Sequence, residues 1–167
     1  MLEAYFEERM HETAVFSLFV RRLPDSRNYL LACGLDDVLA FLETLRFDDA
    51  ALAYLDSLGR FSDRFLRYLE DFRFTGDVYA VPEGTPIFPP EPIVEVSAPI
   101  AEAQLVEASV MNQSHLQTVL ASKAARVVEA MITSARRAPG VLTVFGGEFD
   151  VANRVGVLPC LLRSSGN

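Results

Sequence analysis

From Pro99 to about Thr133 the chain runs without a glycine or a second proline. Those two residue types end helices most readily, while a proline is tolerated as the first helical residue. The stretch therefore predicts one long helix opening at Pro99. The segment before it has the opposite grammar. Between Gly76 and Pro99, six prolines and two glycines separate short β-like pieces, Asp77-Val78-Tyr79-Ala80-Val81 and Ile93-Val94-Glu95-Val96. Apolar residues continue throughout, so this spacing suits a small β substructure of tight turns and not a linker. A long helix fed by such a substructure limits the fold to a mixed α+β arrangement.

The remaining residues fit that class. Leu2 to Met10 reads as the end of a helix. Thr13 to Val20 alternates as a strand does, with Ala14, Phe16, Leu18 and Val20 on one face. The Arg21-Arg22-Leu23-Pro24-Asp25 stretch breaks it, and Asn28 to Ala32 returns as a second strand. Leu35, Val38, Leu39, Leu42 and Leu45 follow at helical spacing. Asp48 is placed to cap another helix that stops at Gly59. Ser62 is placed to cap a third, with Phe61 and Leu66 as its hydrophobic staple.

At 100° per residue, Leu105, Leu116, Val119, Leu120, Val127 and Met131 form an apolar stripe along the long helix. Asn112 and Lys123 fall inside that stripe. A lysine there must snorkel out, meet an anionic partner or lose its charge. Spacing alone leaves two readings open: a snorkelled or ion-paired lysine, or a helix edge lining a site for an anion.

Length and composition bound what the site does. The chain has 167 residues, half of them hydrophobic, enough for one domain with a sizeable core and too apolar for intrinsic disorder. Its net charge of −8 argues against nucleic acid and anionic membranes as partners, because both need a clustered positive field. A small phosphorylated ligand needs only a few local cations. No apolar run approaches the roughly 18 residues of a membrane span. Glu3, Glu7 and Glu8 at the N-terminus are the reverse of a secretory signal, so a cytoplasmic location is expected. Cys33 and Cys160 stand far apart and read as free thiols. With only His11 and His115, neither a zinc site nor a Ser-His-Asp constellation can be assembled, and there is no Gly-rich phosphate loop.

Several stretches, taken in order, resemble one family. They are Ala4-Tyr5-Phe6-Glu7, Ala14-Val15-Phe16-Ser17-Leu18-Phe19-Val20-Arg21-Arg22-Leu23-Pro24, Asn28-Tyr29-Leu30 and Gly34-Leu35. They continue through Phe72-Arg73-Phe74-Thr75-Gly76-Asp77-Val78, Val81-Pro82-Glu83-Gly84-Thr85-Pro86, Glu102-Ala103-Gln104-Leu105-Val106-Glu107 and Ser122-Lys123-Ala124-Ala125-Arg126. In order and spacing this string resembles the opening of the nicotinate phosphoribosyltransferases over roughly residues 1 to 130. The resemblance implies an N-terminal α+β domain of a type II phosphoribosyltransferase-like enzyme, paired with an irregular α/β barrel that holds phosphoribosyl pyrophosphate. It implies that nicotinate and phosphoribosyl pyrophosphate become nicotinate mononucleotide and pyrophosphate, with ATP hydrolysis and Mg2+, in NAD salvage. It further implies a homodimer with active sites at the subunit interface.

Two departures from the family pattern matter. A segment resembling Asp-Leu-Tyr-x-Leu-Thr, expected before the equivalent of Met1, is absent. After the Lys-Ala-Ala-Arg stretch the family runs into a barrel strand, a Leu-Arg-Arg-Ala-x-Gly loop and a Gly-Gly-Phe-Asp-x-x-Ser-Asn segment. Here Arg136-Arg137-Ala138-Pro139-Gly140 answers to the first motif. Gly146-Gly147-Glu148-Phe149-Asp150 with Asn153 answers to the second, with Glu148 inserted and the spacer shortened. Residues 1–133 are accordingly read as the N-terminal domain. Residues 134–167 are either a remnant of the barrel start or a foreign, frameshifted tail, with most of the barrel missing. Val141 to Phe145 has β character but no strand to pair with, so residues after about 135 are expected to be poorly packed.

The chemistry selects the candidate residues. Phosphoribosyl transfer builds positive charge on the ribose C1 as pyrophosphate leaves, so the departing anion must be neutralised and the pyridine nitrogen aligned. Guanidinium forks suit both pyrophosphate and the nicotinate carboxylate. Arg136 and Arg137 are the first candidates for substrate contact, through the motif match; a solvated basic turn after a helix is the alternative. Lys123 and Asn112 are second, as supports beneath the site. Arg21 and Arg22 close a strand and face either solvent or a dimer partner, and Asp150 is a weak candidate for a ribose hydroxyl or a metal-bound water. No catalytic side chain and no metal ligand is assigned. Two functions stand: a piece of the enzyme that works once completed by a barrel, or a non-catalytic truncated paralogue acting as a dimerisation or interaction module.

Overall fold

A computed structural model describes the backbone of residues 2–137 and the side chains of residues 2–130. The elements are α1 (Leu2–Glu7), β1 (Thr13–Phe19), β2 (Leu30–Leu31), α2 (Leu35–Thr44), α3 (Asp49–Ser57), α4 (Asp63–Glu70), β3 (Asp77–Ala80), β4 (Pro86–Ile87), β5 (Pro92–Pro99) and α5 (Ile100–Arg137). Strands β1, β5 and β3 form one sheet in that order, and β2 and β4 form a second. The described residues are thus mixed α+β, with no closed barrel among them. Val141–Phe145, the Gly146–Asp150 stretch, Asn153 and Cys160 lie outside the described residues.

Two expectations about the long helix are corrected. Pro99 is the last residue of β5, so the first helical residue is Ile100. The helix also continues past Thr133 to Arg137, because the next helix breakers are Pro139 and Gly140. No helix among the described residues is long and apolar enough to cross a membrane.

The backbone divides into two compact units. Unit 1 comprises Met1–Ser17, Asp36–Tyr79 and Glu95–Val110. Its part of β1 alternates as expected, with Ala14 and Phe16 half-buried and Thr13, Val15 and Ser17 exposed. Val96 and Ala98 of β5 are buried, as are Val38 and Leu42 of α2, Phe65 and Leu69 of α4, and Ala103, Val106 and Val110 of α5. Both predicted caps form: the Asp48 carboxylate accepts from the Ala51 amide at 2.8 Å, and the Ser62 hydroxyl from the Phe65 amide at 3.3 Å. The ring contact of Phe61 is with Phe65, the neighbour of the expected staple residue Leu66, at 5.7 Å. Phe6 docks α1 between Phe65 (5.9 Å) and Tyr68 (5.1 Å), Arg64 lies 4.9 Å over its ring, and the Ser62 amide donates to Glu3 at 2.6 Å. Gly76 permits a close backbone approach, since a Cβ there would stand 2.4 Å from that of Ala98. Beside it, buried Glu102 accepts from the Thr75 amide at 2.7 Å and from its hydroxyl at 3.0 Å. Burial, and then the negative charge of Glu102, push the Tyr68 phenol above its usual value.

Unit 2 comprises Leu18–Leu35, Ala80–Val94 and Met111–Asn167. The second strand is shorter than Asn28–Ala32: Leu30 and Leu31 pair antiparallel with Ile87 and Pro86. The Pro-Glu-Gly-Thr turn extends that pairing, as the Gly84 amide donates to Ala32 O at 2.8 Å and the Ala32 amide to Thr85 O at 2.9 Å. Leu31, Cys33 and Ala121 form a small buried cluster against which Tyr29, Leu120 and Ala125 pack.

Candidate functional site: a polar seam along the long helix

In unit 2, α5 turns inward a face of small and polar residues. Ser114, Gln117, Thr118, Ala121 and Ser122 are buried. Of the expected apolar stripe only Leu120 packs on this contact, from its edge: Leu116 is 53% exposed, and Val119, Leu120 and Val127 are half-buried. The reason is the chain opposite. Residues Leu31 to Gly34 carry backbone amides that need partners once buried, and short hydroxyl side chains both reach them and let the backbones approach.

The partners are specific. The Leu31 amide donates to Ser122 Oγ at 2.8 Å, and that hydroxyl donates to Thr118 O at 2.6 Å. Thr118 Oγ1 accepts from the Cys33 amide at 3.1 Å and donates to Cys33 O at 3.2 Å. The Cys33 thiol, free and buried as expected, donates to Gln117 Oε1 at 3.9 Å. The next two amides, of Gly34 and Leu35, donate to Glu83 Oε1 at 2.9 and 2.6 Å. This puts a carboxylate at the start of α2, where the unpaired helical N–H groups favour it. Gly34 has φ +102°, and a Cβ on it would stand 2.9 Å from Gln113 O. A small cleft lined by Cys33, Glu83, Ile93 and Ser114 sits within this seam, and the buried Ser114 hydroxyl has no hydrogen-bond partner among the described residues.

The residues singled out in the sequence stand apart from the seam. Asn112 and Lys123 are exposed, so neither is buried within an apolar stripe. Eleven residues of helix separate them, about 16 Å along the axis and about 20° in phase, so they share a face without converging on one anionic group. Arg136 and Arg137 belong to the last turn of α5, not to a loop after it. Helical phase puts backbone position 137 near the Asn112–Lys123 face and position 136 about 140° from Lys123. Sequence reasoning missed Ser114, Gln117, Thr118 and Ser122. Their signal was small polar residues at helical spacing, a pattern as regular as the apolar one. The described polar groups of the seam are engaged mainly with backbone, which makes it a fastening and not a reaction centre. Among the described residues no three His, Cys, Asp or Glu side chains converge to hold a metal.

Comparison with known proteins explains the motif string. Residues 1–113 match the family model of the nicotinate phosphoribosyltransferase (NAPRTase) N-terminal domain. The nicotinate phosphoribosyltransferase pncB2 of Mycobacterium tuberculosis is 63% identical over 130 residues, which cover 78% of this chain and 28% of that protein. The nicotinate phosphoribosyltransferase of Bacillus subtilis is 43% identical over 129 residues, covering 76% of this chain and 26% of that protein. The crystal structure of human nicotinic acid phosphoribosyltransferase superimposes with a TM-score of 0.69 at 32% identity, covering 75% of this chain and 26% of that one. The chain spans about a quarter of the length of these relatives. Three of the motif stretches, Gly34-Leu35, Val81 to Pro86 and Ser122 to Arg126, meet at the seam. The chain belongs to the nicotinate phosphoribosyltransferase family, and its matching region is that family's N-terminal domain.

Proposed function

We propose that this chain supplies the N-terminal domain of an enzyme that joins nicotinate to phosphoribosyl pyrophosphate, giving nicotinate mononucleotide and pyrophosphate in NAD salvage. The observation that carries this reading is the identity to the mycobacterial nicotinate phosphoribosyltransferase across 130 residues. ATP hydrolysis, Mg2+, a homodimeric assembly and a cytoplasmic location belong to the same proposal. Both substrates and both products are anions. The reading assigns their contacts to α5, with Lys123 and Asn112 on its exposed face as supports and Arg136 and Arg137, further along the same helix, as guanidinium donors. The seam serves it indirectly. Thr118 and Ser122 fix the rotation of α5 against Leu31–Gly34, and so fix where the neighbouring Lys123 is presented. Among the described residues no group of three His, Cys, Asp or Glu side chains fits Mg2+, and none of them is assigned as its ligand.

The coding DNA downstream of Asn167 tests the proposal. An open barrel-encoding frame, in register or shifted, is the expected result. A clean stop followed by unrelated sequence would favour a non-catalytic interaction module instead. A second arm measures nicotinate mononucleotide formation by the protein completed with that barrel, where no turnover would sink the enzymatic reading.

A further inference from the structure

Hydroxyl side chains recur at four-residue intervals along the inward face of α5, at Ser114, Thr118 and Ser122, and all are buried. Four helical residues rise about 6 Å and two strand residues about 6.6 Å. Such hydroxyls therefore keep pace with every second residue of an antiparallel chain beside them. Two rungs obey this register: Ser122 accepts the Leu31 amide at 2.8 Å, and Thr118 the Cys33 amide at 3.1 Å. The next rung would join Ser114 to Leu35.

That rung does not form directly. The backbone turns at Gly34, with φ +102°, and the Leu35 amide donates to Glu83 Oε1 at 2.6 Å. The two segments still lie close, since a Cβ on Gly34 would stand 3.2 Å from Ser114 Cα. Ser122 also turns its own proton back to Thr118 O, at 2.6 Å. Ser114 makes no equivalent bond, and its buried hydroxyl has no partner among the described residues. A hydroxyl in that position is destabilising unless something completes it, and ordered water is the common solution. Ser114 opens on the cleft that Leu35 and Glu83 also line, with Val81, Ile93 and Val94 as its apolar walls. The cleft has room for about one water molecule, and its apolar walls would strip an ion of hydration.

We propose that this cleft is a binding site for a single structural water, which bridges Ser114 Oγ to the Glu83 carboxylate and completes the ladder. The chemistry of the two ends is complementary. A carboxylate only accepts and carries about four lone-pair sites, whereas a hydroxyl both donates and accepts. The water donates a proton to Glu83 and accepts the Ser114 proton. Glu83, already bonded to the Gly34 and Leu35 amides, is thereby tied to α5 as well, and the turn at residues 82–85 is pinned to the helix. The water is part of the scaffold, so the site goes beyond the transferase reading and does not depend on it.

An X-ray structure of the 167-residue chain that locates ordered waters tests the bridge. The expected result is a water within about 3.2 Å of both Ser114 Oγ and a Glu83 carboxylate oxygen, lost in crystals of Ser114→Ala. A cleft without density would overturn the proposal, as would a Ser114 hydroxyl bonded directly to Glu83 or back to Val110 O. Urea unfolding gives an independent reading in solution. Ser114→Ala should lower the midpoint even though alanine is the better helix former, because the water and its hydrogen bonds are lost. A dry hydroxyl would instead leave the midpoint unchanged or raise it, and either result rules the bridge out. Absence of transfer by the completed enzyme would sink the transferase reading and leave this water standing.

Discussion

The hydroxyl of Thr118 receives the Cys33 amide proton at 3.1 Å and returns its own proton to the Cys33 carbonyl at 3.2 Å. One side chain of α5 thus satisfies both backbone groups of a buried residue on the facing strand. Thr118→Val keeps the shape and removes both bonds. It should destabilise the chain by about 1–3 kcal/mol, because the buried amide is left without a partner. Thr118→Ser, which keeps the hydroxyl and loses a methyl, should cost only about 1 kcal/mol. Urea unfolding midpoints compare the two, and a valine variant within about 0.5 kcal/mol of the parent would refute the fastening.

Gly34 is held by two constraints together, a φ of +102° and backbone atoms of α5 on the side where a Cβ would go. Gly59 has φ +60° with nothing within 4 Å of its missing Cβ. Gly59→Ala should therefore cost about 1–2 kcal/mol, the conformational part alone. Gly34→Ala should add about 1–3 kcal/mol of overpacking, since Gln113 O and Ser114 Cα cannot swing aside as a side chain would. Thermal melts of the two variants read the difference, and equal losses would show that the close approach is unimportant.

The Tyr68 phenol, raised by burial and by Glu102, gives a pH dependence of definite sign. A folded value above the unfolded one means the unfolded chain releases the proton first as pH rises. The contribution is present below about pH 10, the usual phenol value, and is lost as pH climbs through the raised folded value. Melting temperatures from pH 8 upward should fall less steeply for Tyr68→Phe than for the parent. Parallel profiles would show that another group governs alkaline unfolding.

The 167-residue chain on its own is expected to form no nicotinate mononucleotide, since it spans about a quarter of its catalytic relatives. Radiolabelled nicotinate with phosphoribosyl pyrophosphate, ATP and Mg2+ checks this. Turnover that Lys123→Ala abolishes would show that these residues suffice after all.

Local chemistry was legible in the sequence, and long-range burial was not. The Asp48 and Ser62 caps, the alternation of β1 and the existence of α5 each depend on a few neighbouring residues, and each formed as read. The inward face of α5 depends on what lies opposite it. Counting Leu116 and Val119 as core presumes an apolar neighbour, whereas Leu31–Gly34 presents amides that call for hydroxyls. The same dependence hid the candidate site. The motif string marked Ser122 and Glu83, while only the fold shows that their partners are the amides of Leu31, Gly34 and Leu35.

The junction of β5 and α5 has no turn in it: Pro99 ends the strand, Ile100 begins the helix, and the Ile100 amide donates to Glu12 O at 3.0 Å. Such a junction leaves no slack for evolutionary drift in length. Inserting or deleting one residue there would turn the helix by about 100° and take Ala103, Val106 and Val110 out of the hydrophobic interior of unit 1. Loops elsewhere in the chain can absorb length changes at their tips. Here a single-codon slip is equivalent to replacing three core side chains at once, so homologues should differ at this point by substitution and never by a gap.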